Sequence, residues 1–241
     1  MVFAAIMAGG TGTRMGNSET PKQYLKLAGK PIIIHTLEKF FVNPQIDHIV
    51  VLTPKAWVAH TANMVAESLG NTDKVTVIEG GATRNDTLRN AVAFFEERYG
   101  LDDDSVLVTH DAVRPFLTRR IINENIEYAR QYGATDTAVP ATDTIIASQD
   151  GTFISDVPPR STLWQGQTPQ SFNCKKLKAL MDSLTPEEEQ TLTDACKIFV
   201  LKGEPVYIVR GEQSNIKITY PFDLKVAETM VAGDLEGETD A

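Results

Sequence analysis

Cysteine is scarce in this 241-residue chain: Cys174 and Cys196 are the only two, and neither stands in a C-x-x-C or His/Cys cluster. That excludes a disulfide scaffold and a thiolate metal site, and it fits two small core residues in a reduced cytosolic interior. Aromatic residues make up only 7%. The N-terminal apolar run, Val2 to Ala8, is too short to span a bilayer and lacks the basic flank of a signal peptide, so a cytoplasmic protein is expected. Positive charge is also short, with 23 Lys and Arg against 32 Asp and Glu and a net charge of −9. Nucleic acid and anionic lipid both need a basic footprint, so neither is expected as a partner.

What is present is ordinary globular usage, 42% hydrophobic and 23% charged, at a length that suits one large core over 1–241. Asp234, Glu236, Glu238 and Asp240 crowd the last eight residues without a compensating cation, so 233–241 reads as a frayed acidic tail. Short β-rich runs at Val2–Ala8, His48–Thr53, Lys74–Ile78, Ser105–His110, Thr135–Pro140 and Pro205–Arg210 alternate with helical spacing at Ile32–Val42, Pro54–Leu69, Asn85–Tyr99, Thr118–Tyr132 and Pro221–Val231. Asn85 or Asp86 is available to cap the third helix. Such alternation predicts an α/β fold: a Rossmann-like, mostly parallel twisted sheet with helices on both faces. Between Thr142 and Phe172 the helical period vanishes, and Asp143–Ser148 faces Thr152–Asp156 across Gln149-Asp150-Gly151, a strong hairpin signal. A two-stranded ribbon is marginal alone, so 142–165 is expected to project as an arm and dock on a second subunit, making a homodimer.

The most informative stretch, Ala8-Gly-Gly-Thr-Gly-Thr-Arg-Met-Gly16, follows the first strand and leads into Pro21-Lys-Gln23. Glycines there let backbone amides approach phosphate oxygens. The dinucleotide fingerprint fails because its third glycine falls on Met15, and no Walker string occurs. This loop instead carries its own cations, Arg14 and Lys22, which can face a polyphosphate from two sides.

Further along, Gly80-Gly81 precedes Arg84 and Thr87, a turn that lets backbone lie against a flat base or simply caps a helix. Asp111 closes the strand Val106–His110, placing at the sheet's carboxyl edge a hard oxygen that suits Mg²⁺, a metal usually bound through one or two carboxylates plus substrate phosphates, or that simply caps a helix. His110 alternates to the other face and reads as a packed histidine. Asn215-Ile-Lys-Ile-Thr219 reads as a strand with Lys217 aimed into the cleft.

These motifs, with His110-Asp-Ala-Val-Arg-Pro115, Asp143-Thr144, Pro159-Arg160, Gln167-Thr-Pro-Gln170 and Thr193-Asp194, make the chain resemble the sugar-nucleotide pyrophosphorylases. More narrowly it resembles the cytidylyltransferases that act on 2-C-methyl-D-erythritol 4-phosphate or ribitol 5-phosphate. The resemblance covers nearly the whole chain. It implies a CTP site at Met7, Ala8, Gly9, Gly10, Gly12, Thr13, Gly81, Ala82, Thr83, Arg84, Asn85, Asp86, Thr87 and Ala112. It also implies catalytic Arg14, Lys22 and Lys217, an Arg160 that reaches the neighbouring subunit's site, and acceptor contacts from Arg114, Thr144, Thr168 and Thr193. Asp111 would hold Mg²⁺.

The implied reaction needs no strong base, since a phosphomonoester nucleophile is already an anion; repulsion between it and the triphosphate is the obstacle. Leu192–Phe199 and Gln165–Gln170 look closer to the ribitol branch, because the methylerythritol branch more often has a second acidic and a small residue where this chain has Ala195 and Cys196. Ribitol 5-phosphate is therefore the expected acceptor, with a role in Gram-positive polyribitol phosphate (teichoic acid) synthesis and a reductase partner supplying the acceptor; methylerythritol phosphate is the alternative. A nucleotide-binding module without turnover is a reading of another class. Its weakness is that a binding-only site does not need Arg14 and Lys22 clamping the reacting phosphorus.

Overall fold

In the computed structural model, which describes residues 1–10, 20–192 and 194–237, the chain forms β1 (Val2–Met7), β2 (Lys26–Leu27), β3 (Lys30–Pro31), α1 (Ile32–Phe41), β4 (His48–Thr53), α2 (Val58–Leu69), β5 (Val75–Glu79), α3 (Arg84–Tyr99), β6 (Val106–Asp111), α4 (Arg119–Tyr132), β7 (Ala134–Pro140), β8 (Trp164–Asn173), α5 (Cys174–Asp182), α6 (Pro186–Thr191), α7 (Cys196–Leu201), β9 (Tyr207–Arg210) and α8 (Pro221–Gly237). Seven strands make one sheet in the order β5-β4-β1-β6-β8-β7-β9. Within this sheet the pairings are parallel except the two that β8 makes with β6 and β7, while β2 and β3 form a separate antiparallel pair.

The β1 sequence VFAAIM is apolar at every position, as a strand covered on both faces requires. Val2, Ala4 and Ile6 pack under α1 and α4, whereas Phe3 and Ala5 pack under α3, α5 and α7. Phe3 stacks on Phe95 of α3 with ring centroids 4.3 Å apart. Cys174 and Cys196 are buried in this second cluster, as expected of small core residues. Strand order reverses between β1 and β6, whose ends Met7 and Asp111 lie in register. A ligand crevice forms outside the carboxyl ends of strands at such a reversal.

Four local expectations change. The cap of α3 is Thr83, not Asn85 or Asp86: its hydroxyl accepts from Asp86 N at 3.1 Å while Asp86 Oδ2 accepts from Thr83 N at 3.0 Å, a reciprocal capping box. Asn215–Thr219 is not a strand, because no sheet edge pairs with it; it is held by Ile218 N donating to Val113 O and by the Asn215 side chain. The 142–165 arm has the expected Asp150-Gly151 turn, with the Asp150 carboxylate accepting from Thr152 N and Phe153 N. Its legs nevertheless meet in a single bridge, Ala147 to Asp156, and not a ladder. At the far end α8 continues through Gly237, so 233–237 is helical; extending a formed helix costs little per residue. Among the described residues no helix is long and apolar enough to cross a membrane.

Candidate active site

A cleft of about 360 Å³ lies where the crevice was expected. Its walls are the β1 end (Met7 to Gly10), Lys22 and Gln23, the Gly81–Arg84 loop with Thr87, Asp111 to Val113, and Lys217 with Thr219. The structure thus brings Met7, Ala8, Gly9, Gly10, Gly81, Ala82, Thr83, Arg84, Thr87 and Ala112 together from the expected CTP set. Asn85 and Asp86 do not line it, and Asp86 serves in the capping box instead. Gly12, Thr13 and Arg14 of the glycine-rich loop, and Thr193 of the acceptor set, lie outside the described residues.

Asp111 organises the floor. It is 5% exposed, its Oδ1 accepts from Arg84 Nη1 at 2.8 Å, and its Oδ2 lies 2.9 Å from Lys217 Nζ and 3.6 Å from Arg114 Nε. Burial alone would raise its pKa, but the charges of Arg84, Lys217 and Arg114 prevail and hold it well below the usual carboxylate range. Lys22 is also buried, and its ammonium donates to Ile218 O at 2.9 Å, tying the first loop to the Asn215–Thr219 segment. Among the described residues lining the cleft, Lys22, Arg84 and Lys217 outnumber the one carboxylate, Asp111, the sign of field a triphosphate requires.

Two side chains hold the glycine loops in shape. Gln23 Nε2 donates to Ala8 O at 2.7 Å and to Gly10 O at 3.2 Å; the residue is 1% exposed. Thr87 Oγ1 accepts from Gly81 N at 2.9 Å and donates to Thr83 O at 2.8 Å. Gln23 and Thr219 stand in the quoted motifs, beside Lys22 and Lys217, but the sequence reading gave neither a role in the site.

The acceptor set separates into two groups. Arg114 is largely buried and donates from Nη1 to Asn215 O at 2.7 Å. Thr168 of β8 is buried against the end of β6, where its hydroxyl lies 3.0 Å from His110 Nδ1 and accepts from Asp111 N at 3.2 Å. His110 Nε2 lies 3.0 Å from Arg114 O, so it carries the proton and Nδ1 accepts from Thr168. Burial pushes the His110 pKa down to about 4, which keeps the ring neutral and packed, as expected. Thr144 and Arg160, by contrast, are exposed on the arm, where Arg160 Nη1 donates to Thr142 O at 2.9 Å. Neither lines the cleft of its own chain.

A mostly parallel sheet with a glycine loop after its first strand, a cation-ringed carboxylate at the neighbouring strand end and helices on both faces defines an α/β nucleotidyltransferase. More narrowly, the chain belongs to the IspD family, whose description is 2-C-methyl-D-erythritol 4-phosphate cytidylyltransferase and which matches residues 2–233. It is a CTP-dependent nucleotidyltransferase. Among solved structures, the Francisella tularensis 2-C-methyl-D-erythritol 4-phosphate cytidylyltransferase is 30% identical with a TM-score of 0.78, covering 94% of this chain and 97% of that one. The 4-diphosphocytidyl-2C-methyl-D-erythritol synthase of Anaerococcus prevotii is 26% identical with a TM-score of 0.79, covering 96% of each chain.

Proposed function

We propose that this protein transfers the cytidylyl group of CTP to the phosphate of a five-carbon polyol phosphate and releases pyrophosphate. The observation that carries the reading is Asp111 ringed by Arg84, Lys217 and Arg114 at the floor of a cleft walled by two glycine loops. An acceptor phosphate oxygen attacks the α-phosphorus in line, a P–O bond forms, and the bond to the β-phosphate bridging oxygen breaks. The nucleophile is already an anion, so no proton need move; Lys22 and Arg14 neutralise the charge that develops, and Lys217 with Arg114 orients the acceptor. The base and ribose rest against Gly81 to Thr83.

A divalent cation belongs to this chemistry as the charge neutraliser of the triphosphate. Among the described residues no group of three or more His, Cys, Asp or Glu is arranged to hold one. The donor set is the single carboxylate of Asp111, which suits Mg²⁺ bound mainly through substrate phosphates. The arm offers Ile146, Phe153, Ile154 and Val157, all more than half exposed, as the apolar surface of a homodimer that would carry Arg160 and Thr144 to the neighbouring site. A cytoplasmic location is part of the same reading.

For the acceptor, 2-C-methyl-D-erythritol 4-phosphate takes first place, because it stands in the description of the matching family and of the similar structures. This outranks the ribitol 5-phosphate expected from the sequence. Ribitol 5-phosphate, with its reductase and teichoic acid context, is kept as the second reading on one observation. Ala195 and Cys196 are buried, at 4% and 6% exposure, directly after Asp194, where the other branch more often carries an acid. A coupled pyrophosphate assay with CTP and Mg²⁺ decides between them: the acceptor with the higher kcat/KM is the substrate, and release with neither refutes transfer to both.

A further inference from the structure

Beyond the phosphate-binding end of the site, one half-buried acid has no part in the chemistry described so far. Asp136 of β7 is partly buried, and its Oδ1 accepts from Gln170 Nε2 at 3.1 Å. Asp136, Gln170 of β8 and Thr109 of β6 are successive register partners. Their neighbours one pleat period away, Leu107 and Ala134 two residues earlier and Phe172 two residues later on the antiparallel β8, all belong to the cluster under α3, α5 and α7. Since side chains alternate along a strand, Asp136, Gln170 and Asp111 share that face. At roughly 4.8 Å per strand, Asp136 stands about 10 Å across the sheet from the line of Asp111, a span that a phosphorylated five-carbon chain can bridge.

Three further features make this a place for a ligand. Gln170 is 3% exposed, yet its Oε1 has no hydrogen-bond partner among the described residues. Nearby on β8, opposite Ala138, stands Gly166, where a Cβ would come within 3.7 Å of Asp136 Oδ2, so the lack of a side chain leaves room beside the carboxylate. The electrostatics grade across the site: Arg114 feels both Asp111 and Asp136, and Asp136 feels the like charge of Asp194 as well as Arg114 and Arg84. A cationic end thus adjoins an end that presents a carboxylate and an unpaired amide oxygen. An anionic phosphate fits the first, and hydrogen-bond donors such as hydroxyl groups fit the second.

The geometry points to Asp136, with Gln170 Oε1 beside it, as the pair that receives the hydroxyl groups of the acceptor's polyol chain and so discriminates among acceptors. This rests on the transfer reading above. A hydroxyl donating to a half-buried carboxylate makes a charge-assisted bond, and losing it costs about 10- to 100-fold in specificity.

The test measures kcat/KM for ribitol 5-phosphate, methylerythritol phosphate and their singly deoxygenated analogues with wild type, Asp136→Ala and the near-isosteric Asp136→Asn, alongside the KM for CTP. For whichever polyol phosphate the wild type uses, both variants lose specificity, about 10- to 100-fold in the alanine variant, through acceptor KM with CTP KM unchanged. One deoxy analogue is already poor for the wild type by a similar factor and loses nothing more in the variants. Equal discrimination against every deoxy analogue by all three proteins overturns the assignment while leaving transfer intact. If the wild type releases pyrophosphate with neither polyol phosphate, the transfer reading itself falls and takes this inference with it. Unaltered CTP KM in Asp136→Asn separates lost recognition from lost folding.

Discussion

Lys217 Nζ and Asp111 Oδ2 stand 2.9 Å apart, joining an irregular segment near the C-terminus to the end of a central strand. Because Arg84 takes the other carboxylate oxygen, one acid positions cations from α3 and from the 215–219 segment at once. The carboxylate thereby neutralises cations at the floor of the cleft.

Asp111→Asn should therefore separate binding from turnover. Its partners Arg84 and Lys217 have side chains 34% and 39% exposed, so the stability loss should be about 2 kcal/mol, below the ~3–5 kcal/mol of fully buried pairs. Pyrophosphate release should fall at least ~100-fold, because the one carboxylate proposed to hold the divalent cation is lost and Arg84 and Lys217 lose the acid that positions them. CTP binding by calorimetry without divalent metal should not weaken, because the three cations are freed of their counter-ion. Weaker metal-free binding would show that the carboxylate matters chiefly for shape.

Lys22→Ala tests the transition-state role directly. Pyrophosphate release should drop by about two to three orders of magnitude, with far-ultraviolet dichroism unchanged. Near-normal turnover would mean that the buried ammonium only ties the first loop to Ile218.

The two glycine loops should respond differently to alanine. A Cβ at Gly81 would strike the Asp86 side chain and come within 2.5 Å of the Asp86 carbonyl carbon and 2.6 Å of Thr87 N, so the N-terminus of α3 must shift. At Gly10 a Cβ meets nothing within 4 Å. Gly81→Ala should lower both the melting temperature and CTP affinity, whereas Gly10→Ala should leave melting unchanged and affect only CTP KM. Equal melting points for the two variants would contradict this account.

The strands flanking β1 and the glycine turns were legible because local patterns specify them: continuous apolar runs, a period of 3.6, and glycines at strand ends. Strand β8 was not. Trp164–Asn173 contains Gly166 and Pro169, which read as loop, and its antiparallel place between β6 and β7 is set by distant partners. Asn215–Thr219 erred the opposite way, since its alternation mimics a strand but no edge receives it. Short helices such as α6 and α7 fall below the window in which periodicity is visible. Asp136 left one signal, an acid inside an apolar strand run, but its meaning depends on Gln170 and Asp194, which only the fold brings near.

The apolar arm gives a prediction about assembly. Phe153 and Ile154 are 75% and 60% exposed on a segment whose legs share one bridge, so the arm needs an external surface to pack on. Light scattering at micromolar concentration should report a dimer, and Phe153→Ser with Ile154→Ser should shift it to monomer and reduce turnover together. A wild-type monomer with full activity would remove Arg160 from the site.

Asp136 also sets a pH dependence of stability. Burial first, then the charge of Asp194, pushes its pKa from 3.8 up to about 7, against the hydrogen bond from Gln170. Between these values the folded protein holds a proton that the unfolded chain has released. The contribution is thus fully present below pH ~4 and is lost as pH rises through about 7. Partial exposure limits it to about 1 kcal/mol, roughly 2–4 °C in melting temperature at this chain length. Asp136→Asn carries no titrating group there, so its melting temperature should gain on the wild type between pH 5 and pH 8. A difference that stays constant across that range would mean the carboxylate remains ionised in the folded protein at pH 5.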